Sequence, residues 1–155
     1  MKKIVYIVCM LMLLCSCNNR TVYTDFHSLP ASGWHQDSVL SYSISEADSS
    51  SVYEVLLLLR HTDTYGYQNL WLFVDEYVDS VLIHQDTIEA MLADEYGRWL
   101  GSGRHRYELP LLYDDSYYFS SSNTHTFRIR QGMRTDCLQG ITEVGMIIQY
   151  KDGQE

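Results

Sequence analysis

Cysteine is almost missing from the working part of this chain. Three of its four cysteines lie within the first 17 residues, and only Cys137 lies beyond them. No disulfide can therefore staple the remainder, although an oxidising compartment would permit one. A lone thiol of this kind reads as a small buried hydrophobe. Basic residues are scarce as well, with 11 Lys and Arg against 20 Asp and Glu and a net charge of −9. No stretch concentrates Lys or Arg, so nothing drives binding to a phosphate backbone, and nucleic acid is excluded as a partner. The same charge disfavours adsorption onto anionic lipid. Long apolar runs are absent too. Ile4 to Cys15 spans 12 residues, short of the roughly 20 needed to cross a bilayer.

The chemistry-bearing spacings are equally thin. The histidines, His27, His35, His61, His84, His105 and His125, are scattered without an HExxH-type pair, so no metal site is expected. Gly101-Ser102-Gly103 lacks the spacing of a nucleophile elbow, and no Gly-rich phosphate cradle precedes a lysine. The acidic pairs Asp75-Glu76, Asp94-Glu95 and Asp114-Asp115 are adjacent, so strand geometry sends the two members to opposite faces. Calcium at Asp114-Asp115-Ser116 is weaker than the reading of surface acids in a turn. No catalytic residue, no cofactor and no enzyme activity are expected.

What is present starts at the N-terminus. Lys2 and Lys3 precede the apolar run, which ends in Leu14-Cys15-Ser16-Cys17 before polar Asn18-Asn19-Arg20. That order is a secretory signal. A leucine, a small residue and then cysteine resembles the bacterial lipoprotein signal. The resemblance implies cleavage between Ser16 and Cys17, diacylglycerol on the Cys17 sulfur, and a further fatty acyl (palmitate-type) chain on its freed amine. Each buried methylene contributes about 0.8 kcal/mol, and stable anchoring takes two chains or more. The expected organisation is a signal peptide over 1–16, a tether and ordered lead-in over 17–35, and a folded domain over 36–155. Removing 16 of 155 residues leaves 139, with nine basic residues against 20 acidic, or −11. That is one domain, long enough to bury its own core.

In the lead-in, Tyr23, Phe26, Leu29 and Trp34 are too apolar for a free linker, so these side chains are expected on the domain. Beyond it the period is two. Leu40, Tyr42 and Ile44 alternate with serines; Val52–Leu59 and Leu70–Val74 read as strands covered on both faces; Val81–Ile83 continues after an acidic break. Tyr107, Leu109 and Leu111 alternate, with Pro110 confining them to an edge or strand end. Phe127 and Ile129 oppose Arg128 and Arg130, and Val144, Met146, Ile148 and Tyr150 close the series. Turn clusters fall at 48–51, 62–63, 114–116, 120–123 and 135–136. Thr87–Glu95 fits a helix through Ile88, Met91, Leu92 and Glu95, or a strand running into a turn at Gly97, and the strand is preferred. The expectation is an all-β, antiparallel β-sandwich of seven to eight strands, jelly-roll or immunoglobulin-like.

The aromatics admit two readings. Trp34, Trp71, Trp99 and twelve tyrosines of the mature chain, with the run Tyr117-Tyr118-Phe119, suit a sandwich core or protein interface. They would also suit a carbohydrate-binding module that recognises an envelope glycan through exposed rings.

Longer stretches narrow the choice. Tyr23-x-x-Phe26, Pro30 and Gly33-Trp34 come first, then Asn69-Leu70-Trp71-Leu72-Phe73, Leu92-Ala93-Asp94 and Gly97-Arg98-Trp99-Leu100-Gly101. Thr126-Phe127-Arg128-Ile129, Gln131-Gly132-Met133-Arg134, 138–141 and Val144-Gly145 follow. In this order, after a lipoprotein signal, they resemble the GldH gliding-motility lipoproteins of Bacteroidetes across nearly the whole mature chain. The resemblance implies a non-enzymatic accessory or assembly component of gliding-associated envelope machinery, held by acyl chains on Cys17 and touching other envelope proteins. Arg98 and Trp99, bracketed by Gly97 and Gly101, are the candidate partner-binding residues. Arg98 has a neighbouring acid, Trp99 or Tyr96 to engage. Exported surface lipoproteins of that phylum carry acids just after the lipidated cysteine. Asn18-Asn19-Arg20 has none, so the expected location is the outer membrane, facing the periplasm.

Overall fold

Period-two side chains decide which way each strand faces, and here they close two sheets over one core. The computed structural model describes residues 20–45, 47–120 and 123–151. Among these the strands are Thr21–Ser28 (β1), Trp34–His35 (β2), Leu40–Ile44 (β3), Tyr53–Thr62 (β4), Asn69–Val78 (β5), Val81–Met91 (β6), Ser102–Gly103 (β7), Arg106–Tyr117 (β8), His125–Gln131 (β9), Cys137–Leu138 (β10) and Ile141–Tyr150 (β11). Three of them are two-residue bridges, which leaves eight strands of five residues or more. One sheet runs β1-β11-β4-β8-β7 and the other β3-β9-β5-β6, with β10-β2 as a small ribbon. Every pairing is antiparallel. The architecture is an all-β sandwich, as the alternation implies.

The core takes inward residues from both large sheets. Tyr42, Leu72, Val74, Phe127 and Ile129 come from one, and Val55, Leu57, Leu59, Val144, Met146 and Ile148 from the other. The Tyr42 hydroxyl crosses between them and donates to the Val144 carbonyl at 2.8 Å, which satisfies a phenol that burial would otherwise penalise. Trp34 is wholly buried and its Nε1 donates to the Ser38 carbonyl at 3.0 Å.

The lead-in is woven into this body. Thr21–Ser28 pairs along β11 from Gln149 to Glu143. Phe26 lies flat over Gly145, where an added Cβ would stand 2.3 Å from the ring. The aromatics of the lead-in lie on the domain because β1 is one of its strands.

At Thr87–Met91 the preferred strand reading holds, and at Asp114-Asp115-Ser116 the structure departs from the sequence pattern. Thr87–Met91 belongs to β6, paired with β5 along its whole length, and that ladder outweighs the helical spacing of Ile88 and Met91. Asp114-Asp115-Ser116 is not a turn; it lies within β8, at an irregularity in the pairing with β4. Ser116 N–H donates to Asp114 Oδ1 at 2.7 Å there, so the local side-chain bond absorbs a bulge. Pro110 sits opposite Leu58 on β8, and β7 covers only Tyr107 and Glu108 on the far side. Its missing N–H therefore falls on an uncovered edge.

Candidate functional site

Gly97 and Gly101 shape the loop that carries Arg98 and Trp99. Both hold positive φ, +76° and +83°, and a Cβ on Gly101 would meet the Glu108 carbonyl oxygen at 2.3 Å. Just before them, Asp94 is the hub. Its Oδ1 accepts from the backbone N–H groups of Tyr96 and Arg98 at 2.9 Å each, and its Oδ2 from Arg98 Nε at 2.7 Å. The Arg98 backbone N–H, with the Arg98 guanidinium and the Tyr96 N–H, holds the Asp94 carboxyl below the ordinary carboxylate range. Arg98 also lies 5.4 Å from the centre of the exposed Tyr96 ring. Of the partners that the sequence offers Arg98, the acid and Tyr96 are both engaged.

Trp99 roots this loop. It is half-buried, bridges to Ala93, and packs edge-on against His61 at 4.6 Å, with Tyr107 and Tyr65 at 6.0 and 6.4 Å. His61 donates from Nδ1 to the Thr62 carbonyl at 3.0 Å, which leaves Nε2 a bare lone pair. That atom is buried without a hydrogen-bond partner, and burial pushes the histidine's pKa down. Trp99 thus anchors the loop while part of its ring lines a shallow surface groove with Tyr67 and Gln68, and Arg98 with Tyr96 stands farther out. Cys17 and Ser16, the other residues singled out by the sequence, lie outside the described residues.

A second feature falls where the sequence reads a doubly covered strand. On β5, Leu70, Leu72 and Val74 point into the core, whereas Trp71 and Phe73 stand on the outer face, 37% and 38% exposed. With Tyr67 they line a groove of about 480 Å³, closed by Asn69, Thr87, Gly132, Met133 and Arg134. The ambiguity is physical: tryptophan and phenylalanine on an outer face look like core residues when written in line with leucines. Polar Asn69 and Asp75 at either end were the available signal. The Gly132–Arg134 wall reaches Trp71 only because β9 lies beside β5.

A third cluster is internal. Glu76, buried on β5, accepts hydrogen bonds from the Tyr113 and Tyr117 hydroxyls, the latter at 3.1 Å. Burial, then the hydrogen bond to Glu76, raises the Tyr113 pKa far above that of a free phenol. His125 Nδ1 lies 3.2 Å from Tyr117 Oη, and its Nε2 faces both the Ser120 N–H at 3.0 Å and Ser120 Oγ at 2.9 Å. A backbone N–H can only donate, so Nε2 is the acceptor and Nδ1–H donates to Tyr117. The lone pair that would activate the Ser120 hydroxyl is directed at a backbone amide, and the cluster works as a tie between β5, β8 and β9. Tyr117 and Phe119 are core residues, and only Tyr118 of that run is exposed. Half-buried Cys137 rests its sulfur 2.9 Å from the Ser32 carbonyl.

The model of the family described as GldH lipoprotein matches residues 21–148. The gliding motility lipoprotein GldH homolog of Christiangramia forsetii is 30% identical, covering 92% of this chain and 91% of the relative. The gliding motility lipoprotein GldH of Flavobacterium johnsoniae is 31% identical, covering 90% and 91%. Among solved structures, one of infectious bursal disease virus Gx strain aligns with 86% of this chain and 33% of its own, at 11% identity and a TM-score of 0.27, and that likeness carries no weight. The match from β1 to β11, together with two relatives aligned over nearly their full length, places this chain in the GldH lipoprotein family.

Proposed function

We propose that this protein is an accessory or assembly component of cell-envelope, gliding-associated machinery, that it is anchored in the outer membrane and faces the periplasm, and that it works by contact rather than catalysis. Acyl chains on Cys17 hold it there, after removal of 1–16. The names of the two relatives support the setting, and the polar, acid-free stretch after Cys17 supports the orientation.

The observation that carries the contact role is the loop of residues 94–101. Trp99 and the Asp94 hub fix its backbone, and it displays Arg98 and a Tyr96 ring that is 76% exposed. Arginine and tyrosine are the residues that dominate protein interfaces, and a loop already rigid loses little entropy on docking. The partner is expected to be another envelope protein with an acidic or aromatic patch. Photo-cross-linking from position 96 in living cells tests this. One discrete protein adduct, lost in Arg98→Ala, is the expected result; adducts to lipid alone, or none under any growth condition, would count against the reading.

A further inference from the structure

We infer that the groove over Trp71 and Phe73 is a binding subsite for a pyranose ring that bears a carboxylate. The inference stands on the groove alone and does not depend on the envelope role proposed above.

The floor comes first. Trp71 and Phe73 are two residues apart on one face of one strand, so their rings rise from points about 7 Å apart. Tyr67 adds a third exposed ring. Rings of this kind stack on the C–H groups of the flat side of a sugar; the Phe73 ring already carries the Arg130 guanidinium at 5.8 Å, and Asn69, Thr87 and Arg134 supply polar groups for hydroxyls and acid.

The groove is also built in advance. β5 is paired on both sides, through Phe73 to Thr87 of β6 and to Arg130 of β9. Beyond the end of β9 the chain is drawn down beside Trp71: Gly132 N–H donates to the Trp71 carbonyl at 2.7 Å, and Trp71 N–H approaches Met133 Sδ at 3.4 Å. A Cβ at Gly132 would meet the Phe73 ring and the Trp71 Cβ, each at 3.2 Å. Its φ is not positive, so glycine serves here for room beside the two aromatic residues.

Charge selects the ligand. Residues 125–135 carry Arg128, Arg130 and Arg134 and no acid, in a chain that is acidic overall. Arg128 lies over the Tyr77 ring at 4.6 Å, and Arg130 pairs with Asp75 at 3.3 Å. Arg134, exposed on the groove rim, has no acidic partner among the described residues. A guanidinium suits two-point recognition of a carboxylate. Glu89, outside the groove lining, is engaged by the Asn69 amide, which leaves Arg134 as the charged group of the groove itself.

Size argues against a protein surface as the occupant. A standard protein interface covers about 800 Å² on each partner, whereas these rings end at the Arg130–Asp75 pair on one side and the Asn69–Glu89 pair on the other. The volume falls within the range of small-ligand sites, roughly 300–1,000 Å³.

The test uses full-length lipoprotein in neutral detergent micelles, titrated with trigalacturonate and with its methyl ester, which removes only the charge. Tryptophan fluorescence and ligand-observed saturation-transfer NMR give the readout. Trigalacturonate is expected to bind about tenfold more tightly than the ester, and Trp71→Ala to weaken both at least about tenfold while the melting temperature stays close to that of the parent. Arg134→Gln is expected to remove the preference for the acid and leave the ester unchanged. Equal affinity for acid and ester, binding that survives Trp71→Ala, or no binding of either probe at millimolar concentration would each overturn the assignment. So would loss of a cross-linked protein partner in Trp71→Ala with no response to either sugar, which would make the groove a protein interface.

Discussion

One strand, β5, shows two surfaces of opposite purpose. Inward, Leu70, Leu72 and Val74 are fully buried and Glu76 is held by two tyrosine hydroxyls. Outward, the residues between them, Trp71, Phe73 and Asp75, form a groove floor and an ion pair. The inner face is explained entirely by the fold. The outer one is only partly so: Trp71 and Phe73 keep 37% and 38% of their surface exposed, and it is there that we propose a binding role.

The sharpest way to break this comparison is to truncate neighbours. Leu72→Ala should cost about 3 kcal/mol through lost contacts and a cavity, whereas Trp71→Ala should cost about 1 kcal/mol or less. Urea unfolding at neutral pH measures both, and equal losses would mean that the outer rings belong to the core. Glu76→Leu comes next. It leaves the Tyr113 and Tyr117 hydroxyls buried without their acceptor, for a loss of about 2 kcal/mol. The neighbouring Asp75→Asn, on the outer face, should change stability by about 0.5 kcal/mol or less. If Glu76→Leu proved neutral, the tie between β5, β8 and β9 would be dispensable.

Between pH 7.5 and 5.5, acid should act through the buried histidines. Burial lowers the pKa of both His61 and His125, while an unfolded histidine titrates near 6.5. Above that value both states are neutral and stability does not change with pH on their account. As pH falls below it the unfolded chain takes up protons that the fold refuses, so stability declines toward the depressed folded values. Each histidine contributes at most about 1.4 kcal/mol per pH unit. His61→Phe should remove one share of that slope, and denaturation midpoints at pH 7.5, 6.5 and 5.5 would read it. A slope identical to the parent's would contradict the burial argument. The smallest effect on stability belongs to Arg98→Ala, whose pair with Asp94 is exposed and solvent-screened, although its effect on cross-linking should be large.

Much of the sandwich is legible in the alternation of Leu40-Tyr42-Ile44, Phe127-Ile129 and Val144-Met146-Ile148, because a half-buried strand must repeat every second residue. The irregular places are not. Asp114-Asp115-Ser116 has turn composition, yet the pairing with β4 carries it through as a bulge. The loop carrying Arg98 and Trp99 is visible as glycines around a bulky pair, but which of the two faces outward depends on His61 and Tyr107, distant in sequence. The groove is the least legible, since Gly132 and Arg134 meet Trp71 only through the order of strands in the sheet.

The central claim, that this acidic sandwich acts while tethered to a membrane, rests most directly on the first residue of the mature protein. Mass spectrometry of the N-terminal peptide from purified envelopes should find it starting at Cys17 with a diacylglyceryl thioether and an amide-linked acyl chain. A free Cys17 thiol, or a start at any other residue, would contradict the account.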